Sequence, residues 1–165
     1  MDAQGRWTPA YIGLGSNLDD PARQIDSAFA ALATIPDTLL IAASRRYRSK
    51  PVGPQDQPDF VNAAAALLTR LDPLALHAAL HTLEIALGKR PPPMRFGPRR
   101  IDLDLLVFGS ITLELPDLEV PHPRLHERAF VLYPLADIAS ALWIPGRGRV
   151  ATLRAAVAGD PPDLL

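Results

Sequence analysis

The chain contains no cysteine among its 165 residues. That excludes a disulfide framework, a thiolate metal site and a thiol nucleophile, and it favours a reducing, cytoplasmic setting. Long hydrophobic runs are missing too. No stretch approaches the length of a membrane span, and the N-terminal "MDAQGRWTPAYIGLGSNL" lacks the basic segment and apolar run of a secretion signal. The expectation is a soluble, unexported protein with no membrane partner. An excess of one charge is also absent. The formal net charge of −1 argues against a uniformly basic nucleic-acid binder, and the chain lacks the aromatic-rich pattern of an RNA-recognition strand.

What is there suffices for a core. A hydrophobic share of 48% over this length predicts one compact domain spanning residues 1–165, expected as a monomer. The charge is unevenly placed. Nine of the 17 lysines and arginines fall in "RRYRSK" (residues 45–50) and "GKRPPPMRFGPRR" (residues 88–100), and the second run leads directly into "IDLDLLVFG". A solvated surface accounts for such runs. If the fold joins them beside the carboxylates, they instead form a concave site for a polyphosphate and its metals.

Periodicity gives the elements. Residues 10–15 read as a strand, followed by a helix with Asp20 as cap, Pro21 in its first turn and Ile25, Phe29, Leu32 and Ile35 facing inward. Residues 39–48 and 60–70 read as two further strands, although the alanines of the second are compatible with helix. "LDPLALHAALHTLEIALG" is a helix capped by Asp72, with Leu76, Leu80, Leu83 and Leu87 on one side and Gly88 as its stop. The strand carrying the aspartates comes next. The order predicts an α+β fold with a ferredoxin-like split βαβ core, helices on one sheet face and the other face left for a ligand or extra elements. Additional C-terminal elements follow: a short arm near "ITLEL", a turn at "VPHPRLHER", a helix in the second half of "AFVLYPLADIA" and a loose "GDPPDLL" tail. Residues 49–59 and 88–99 form long connections of the sort that carry binding groups or act as lids.

Asp102 and Asp104 are two residues apart and so share a strand face, opposite Ile101, Leu103 and Leu105. Facing water explains this alternation. A magnesium site explains it equally, because a hard cation needs adjacent oxygen ligands. "GLGSN" lacks the features of a dinucleotide fingerprint or P-loop and reads as a strand-to-helix turn. His77 and His81 lack the glutamate and third ligand of a zinc site. His122 and His126 suit either a phosphate or a structural hydrogen bond, and Glu84 either the surface or a polar contact at the sheet edge. Phe60 and Asn62 share strand spacing. They could receive a planar heterocycle together, or Phe60 could enter the core while Asn62 ends a ladder.

"YIGLGSNL", "PVGPQDQPDFVNA" and "RFGPRRIDLDLLVFG", followed by "VPHPRLHERAFVLYPL", together resemble the 6-hydroxymethyl-7,8-dihydropterin pyrophosphokinases of folate biosynthesis. The likeness runs over about residues 10–145 in order. It implies transfer of pyrophosphate from ATP to the pterin hydroxymethyl group with release of AMP, a ferredoxin-like core with mobile loops, and two magnesium ions. By the same resemblance, Asp102 and Asp104 are the metal ligands and, with Arg99, the catalytic set. Ser49, Val52, Phe60, Asn62 and Phe130 match pterin positions; Glu84, Lys89, Phe96, Arg99, Leu105, His122 and Arg128 match ATP positions. Phe60 stands where tyrosine is common, Lys89 where arginine is, and Phe96 where tryptophan is. Pro91 replaces a phosphate-contacting arginine, for which neighbouring Arg90 is a candidate substitute. A noncatalytic nucleotide or metabolite module and an RNA-binding module are the competing readings; magnesium-dependent ATP binding followed by pterin binding discriminates against both.

Overall fold

The computed structural model describes residues 5–90 and 97–165. Its elements in chain order are β1 (Thr8–Ser16), α1 (Pro21–Leu32), β2 (Thr38–Ala43), β3 (Tyr47–Ser49), β4 (Phe60–Thr69), α2 (Pro73–Ala86) and β5 (Asp102–Phe108). An arm of β6 (Leu113–Leu115) and β7 (Leu118–Val120), a 3₁₀ turn at Leu125–Glu127 and α3 (Ala129–Ala139) follow. The chain ends with β8 (Trp143–Ile144), β9 (Gly148–Arg149), α4 (Val150–Ala156) and β10 (Asp163–Leu164). The fold is α+β. Its main sheet runs β10-β3-β4-β1-β5, with β2 also on β4, and each of these pairings is antiparallel. Consecutive strands joined through α1 or α2 are therefore not neighbours, and the two strand-helix-strand units interleave. Among the described residues no helix is long and apolar enough to cross a membrane.

Strand alternation divides the core. Ile12 and Leu14 of β1, Ala63 and Ala65 of β4, and Leu103 and Leu105 of β5 pack with Ile25, Ala28 and Leu32 of α1 and Leu76 and Leu80 of α2. The opposite face carries Tyr11, Ala64 and Leu106, covered by Leu135 of α3 and Val150 of α4. That cover is partial. It stops short of the sheet end bearing Gly13, Gly15, Phe60, Asn62, Asp102 and Asp104, all of which line a cleft. The alanine-rich stretch of β4 is strand because it is buried on both faces, where small side chains let two layers close on one backbone.

α2 follows its sequence reading: Asp72 accepts from the Ala75 N–H at 2.7 Å, and Gly88 at φ 94° ends the helix. Elsewhere the structure corrects the expectation. Asp20 sits at the α1 N-cap but in left-handed conformation, and its side chain makes no cap bond. The predicted strand 39–48 is broken, because Ser44 turns its backbone N–H onto the Ala64 carbonyl and its Oγ onto the Ala64 N–H, separating β2 from β3. α3 is helical from its start and runs through Pro134, which is buried beside Leu132 and Leu135. The tail is not loose: Asp163 and Leu164 add a strand to β3, and the Leu165 N–H reaches the Arg46 carbonyl at 2.9 Å. Leu164 is exposed, so the open backbone groups of β3 hold the tail and no apolar pattern marks it.

Candidate active site

β1 is the spine of the cleft. Gly15 pairs with Asn62 on one side and Asp102 on the other, while Gly13 pairs with Ala64 and Asp104. A Cβ on Gly15 would lie 3.3 Å from Asn62 Oδ1, and one on Gly13 3.3 Å from the Leu106 side chain. The glycines thus keep the floor clear between the two strands that carry the chemistry. "GLGSN" is consequently a cleft floor rather than only a turn, and only Asn17 with its successors leaves the strand.

The strand spacing of β5 puts both aspartates on the cleft side, as alternation predicted. Their surroundings differ. Asp102 is nearly enclosed, with Lys89 Nζ at 2.7 Å from Oδ1 and Arg99 Nη1 at 2.7 Å from Oδ2. Asp104 stays exposed to the cleft but sits deep in it, and among the described residues it has no ion pair as close. Crowding by protein, with the charges of Asp102 and Glu84, pushes its carboxyl up to about 6; Lys89 and Arg128 oppose that only in part.

Glu84 is buried at the C-terminal end of α2, on the same stripe as Leu76 and Leu80. It accepts from the Leu103 N–H at 2.7 Å and from Lys89 Nζ at 3.1 Å. This settles the choice for Glu84 in favour of the sheet-edge contact, a carboxylate tying α2 to the strand of the two aspartates. Burial alone would lower Lys89, but Asp102 and Glu84 more than offset it and its ammonium is held above the ordinary value.

Arg99, His122 and Arg128 line the same cleft. Burial and the cations of Arg128 and Arg124 push His122 down to about 4, so the imidazole is neutral near pH 7. Its Nδ1 accepts from the Arg124 N–H at 3.2 Å, which assigns the ring proton to Nε2. Burial lowers Arg128 while Asp104 draws it back up, and its guanidinium lies 5.5 Å from the Phe130 ring centroid.

The rest of the cleft lining is apolar with polar points. Ser49, Val52, Phe60, Asn62 and Phe130 belong to it, and Asn62 Nδ2 donates to Ser49 Oγ at 2.7 Å. Phe60 lines the cleft and is not part of the buried core, and Asn62 lines the cleft beside it. Leu105 is buried and borders a neighbouring groove that also includes Asp104, His122, Leu103 and His77. Phe96 and Pro91 lie outside the described residues.

Among the described residues the basic runs meet only in part, through Lys50 and Arg99 in the cleft lining. Arg45 pairs with Asp137 at 2.8 Å and Arg46 with Asp26 at 3.0 Å, away from the cleft. From the first run only Ser49 and Lys50 line it. Lys50 belongs to the basic run expected at a polyphosphate site, whereas Gly13, Gly15, Leu106 and Val131 are lining residues that the sequence reading did not assign to a site. For the glycines a signal existed: they alternate on β1 with the buried Ile12 and Leu14.

Comparison with known proteins accords with this arrangement. The sequence profile of the 7,8-dihydro-6-hydroxymethylpterin-pyrophosphokinase family matches residues 11–140. The 2-amino-4-hydroxy-6-hydroxymethyldihydropteridine pyrophosphokinase of Pseudomonas aeruginosa is 50% identical over 146 residues, covering 88% of this chain and 90% of that protein. Its namesake in Methylorubrum extorquens is 43% identical, covering 94% and 96%. Among solved structures, the Plasmodium falciparum HPPK-DHPS A437G protein with pteroate superposes with a TM-score of 0.70 at 14% identity. That match covers 93% of this chain and 41% of the other, so the chain spans about two-fifths of that protein and the likeness is one of fold. The profile and the close relatives, matched over nearly their whole length, establish that this chain belongs to the 7,8-dihydro-6-hydroxymethylpterin-pyrophosphokinase family.

Proposed function

We propose that the chain carries out its family's reaction in this cleft, transferring the pyrophosphoryl group of ATP to 6-hydroxymethyl-7,8-dihydropterin. The observation that carries the reading is spatial: Arg99, Asp102, Asp104, His122 and Arg128 share one cavity with Ser49, Val52, Phe60, Asn62 and Phe130. The interleaved order of β5, β1, β4 and the β2/β3 pair supports a ferredoxin-like split βαβ core beneath it.

The two walls divide the work. Phe60 and Phe130 give an apolar surface for the pterin ring, and Asn62, hydrogen-bonded to Ser49, meets the polar edge of the heterocycle. Arg99, Arg128 and the Nε2–H of His122 face the phosphates, with Lys89 held behind them on Asp102 and Glu84, while Leu105 and the groove beside it receive the rest of the nucleotide.

The donor set fits magnesium. Two carboxylates share a strand face above a glycine floor, and the only partly offset charge of Asp104 supports a cation there. Asp102 and Asp104 would hold two ions, which when bound neutralise phosphate oxygens and lower the pKa of the pterin hydroxyl. In the reaction the hydroxymethyl oxygen bonds to the β-phosphorus, the bond from that phosphorus to the α–β bridging oxygen breaks, and AMP leaves while the hydroxyl proton departs to solvent. Arg99 and Lys89, released from Asp102, move their charge to the phosphates. No covalent intermediate is needed; position and charge are the catalyst.

Product identity is the test. Purified protein is incubated with ATP, magnesium and 6-hydroxymethyl-7,8-dihydropterin, and products are separated by chromatography and mass. AMP and pterin pyrophosphate are expected in equal amounts, with neither accumulating without pterin. Stoichiometric ADP with a monophosphorylated pterin would overturn the reading.

A further inference from the structure

Asn17 is the first residue after β1, two beyond the Gly15 that pairs with both Asn62 and Asp102. It is only 1% exposed. Its Nδ2 donates to Gln57 Oε1 and to the Pro58 carbonyl, both at 2.9 Å, and its Oδ1 accepts from the Arg99 N–H at 2.8 Å. Its own backbone N–H donates to the Arg99 carbonyl at 3.0 Å. The orientation of the two amides is over-determined: Gln57 Nε2 donates to the Pro54 carbonyl at 2.9 Å, which turns Oε1 toward Asn17.

These bonds join two segments far apart in sequence. The Gln57–Pro58 segment belongs to the connection that brings Val52 to the cleft and leads into Phe60, on the apolar wall. Arg99 is gripped on both backbone groups and places its guanidinium on Asp102, on the charged wall. Only a side chain with two donors and an acceptor at this reach can meet all three partners. Aspartate would set oxygen against Gln57 Oε1 and Pro58 O, and alanine would remove the donor to each of them and the acceptor of the Arg99 N–H.

We infer that Asn17 is a positioning residue that holds the Val52–Phe60 connection and Arg99 as one body, so that a ligand on either wall changes affinity at the other. It touches no substrate. The inference rests on the proposed assignment of pterin to one wall and ATP to the other.

Calorimetry measures the coupling as the ratio of pterin dissociation constants without and with a nonhydrolysable ATP analogue and magnesium. In the wild-type protein that ratio is expected to exceed about five-fold. It should fall to near one in Asn17→Ala and in Gln57→Ala, and no further in the double variant, because both substitutions cut the same link. A folded Asn17→Ala protein that keeps the wild-type ratio would show the amide to be structural only and overturn the inference. If Asn17→Ala does not fold, Gln57→Ala gives the same readout, and an unchanged ratio there has the same force. A wild-type protein that binds neither ligand would instead strike the functional reading on which the inference rests.

Discussion

Two clusters in this molecule are built from the same materials, an acid, an arginine and an aromatic ring, and they end in opposite states. Around Asp137 every need is met locally. Tyr47 Oη donates to it at 2.8 Å, Arg45 Nη2 lies at 2.8 Å, and the Tyr47 ring packs edge-on against Tyr133. Burial works against the Asp137 carboxylate, yet the bonds from Arg45 and Tyr47 hold it below the ordinary range. Around Asp104 the balance is left open. Crowding and two neighbouring carboxylates raise it to about 6, and the Phe60 ring nearby faces an open cleft. A satisfied acid is scaffold, whereas an acid kept unsatisfied beside cations, glycines and an unpacked ring is a place prepared for a ligand.

The contrast is broken most severely by removing the acids. Asp102→Asn and Asp104→Asn should each lower turnover by about 10²- to 10³-fold or more, the scale seen when preorganised charge stabilisation is deleted, with circular dichroism unchanged. Asp137→Asn should leave turnover within a few-fold of wild type. Near-normal rates in both cleft variants would remove the metal assignment and with it the distinction between the clusters.

The aromatic halves extend the comparison to smaller effects. Phe60 is half-buried and lines the cleft, while Tyr47 is 5% exposed and already has a ring partner. Phe60→Ala should weaken pterin binding by about 1 to 3 kcal/mol through lost stacking and apolar contact, with a lesser change in ATP affinity. Titrations giving the reverse order would move Phe60 to the nucleotide side.

How much of this could be read from sequence depends on what kind of force makes each feature. α2, with its Asp72 cap, leucine stripe and Gly88 stop, is written in local chemistry, and so is the shared face of Asp102 and Asp104. The family motifs carried Ser49, Val52, Phe60, Asn62, Phe130, Arg99, His122 and Arg128, all of which share the cleft. Features made by backbone pairing left no trace. The Ser44 break and the tail strand depend on which carbonyls happen to be open across the sheet, and Leu164 carries no apolar signal for its pairing. The two basic runs looked alike as charge density, but Arg45 and Arg46 are consumed by Asp137 and Asp26, partners distant in sequence. Asn17 was hidden for the same reason: its three side-chain partners, in Gln57, Pro58 and Arg99, become neighbours only when the sheet assembles.

The finest test of the comparison is the sign of a pH-dependent stability change in the ligand-free protein. Asp137 has a folded value below its unfolded one, so its contribution is present above about pH 4 and is lost as pH falls through the lowered folded value. Asp137→Ala should therefore lower stability near pH 7 by about 1 to 2 kcal/mol, chiefly because the half-hidden Tyr47 hydroxyl loses its acceptor, and the deficit should shrink in acid. Asp104 runs the other way. Its folded value of about 6 lies above the ordinary 3.8, so its ionisation costs the fold stability as pH rises through that interval. Asp104→Asn removes that cost, and thermal melts should place the variant slightly above wild type at pH 7 and level with it near pH 4. Magnesium alone should narrow the gap by favouring the charged carboxylate in the wild-type protein. An Asp104→Asn protein less stable than wild type at pH 7 would mean that Asp104 is satisfied after all, and the two clusters would be of one kind.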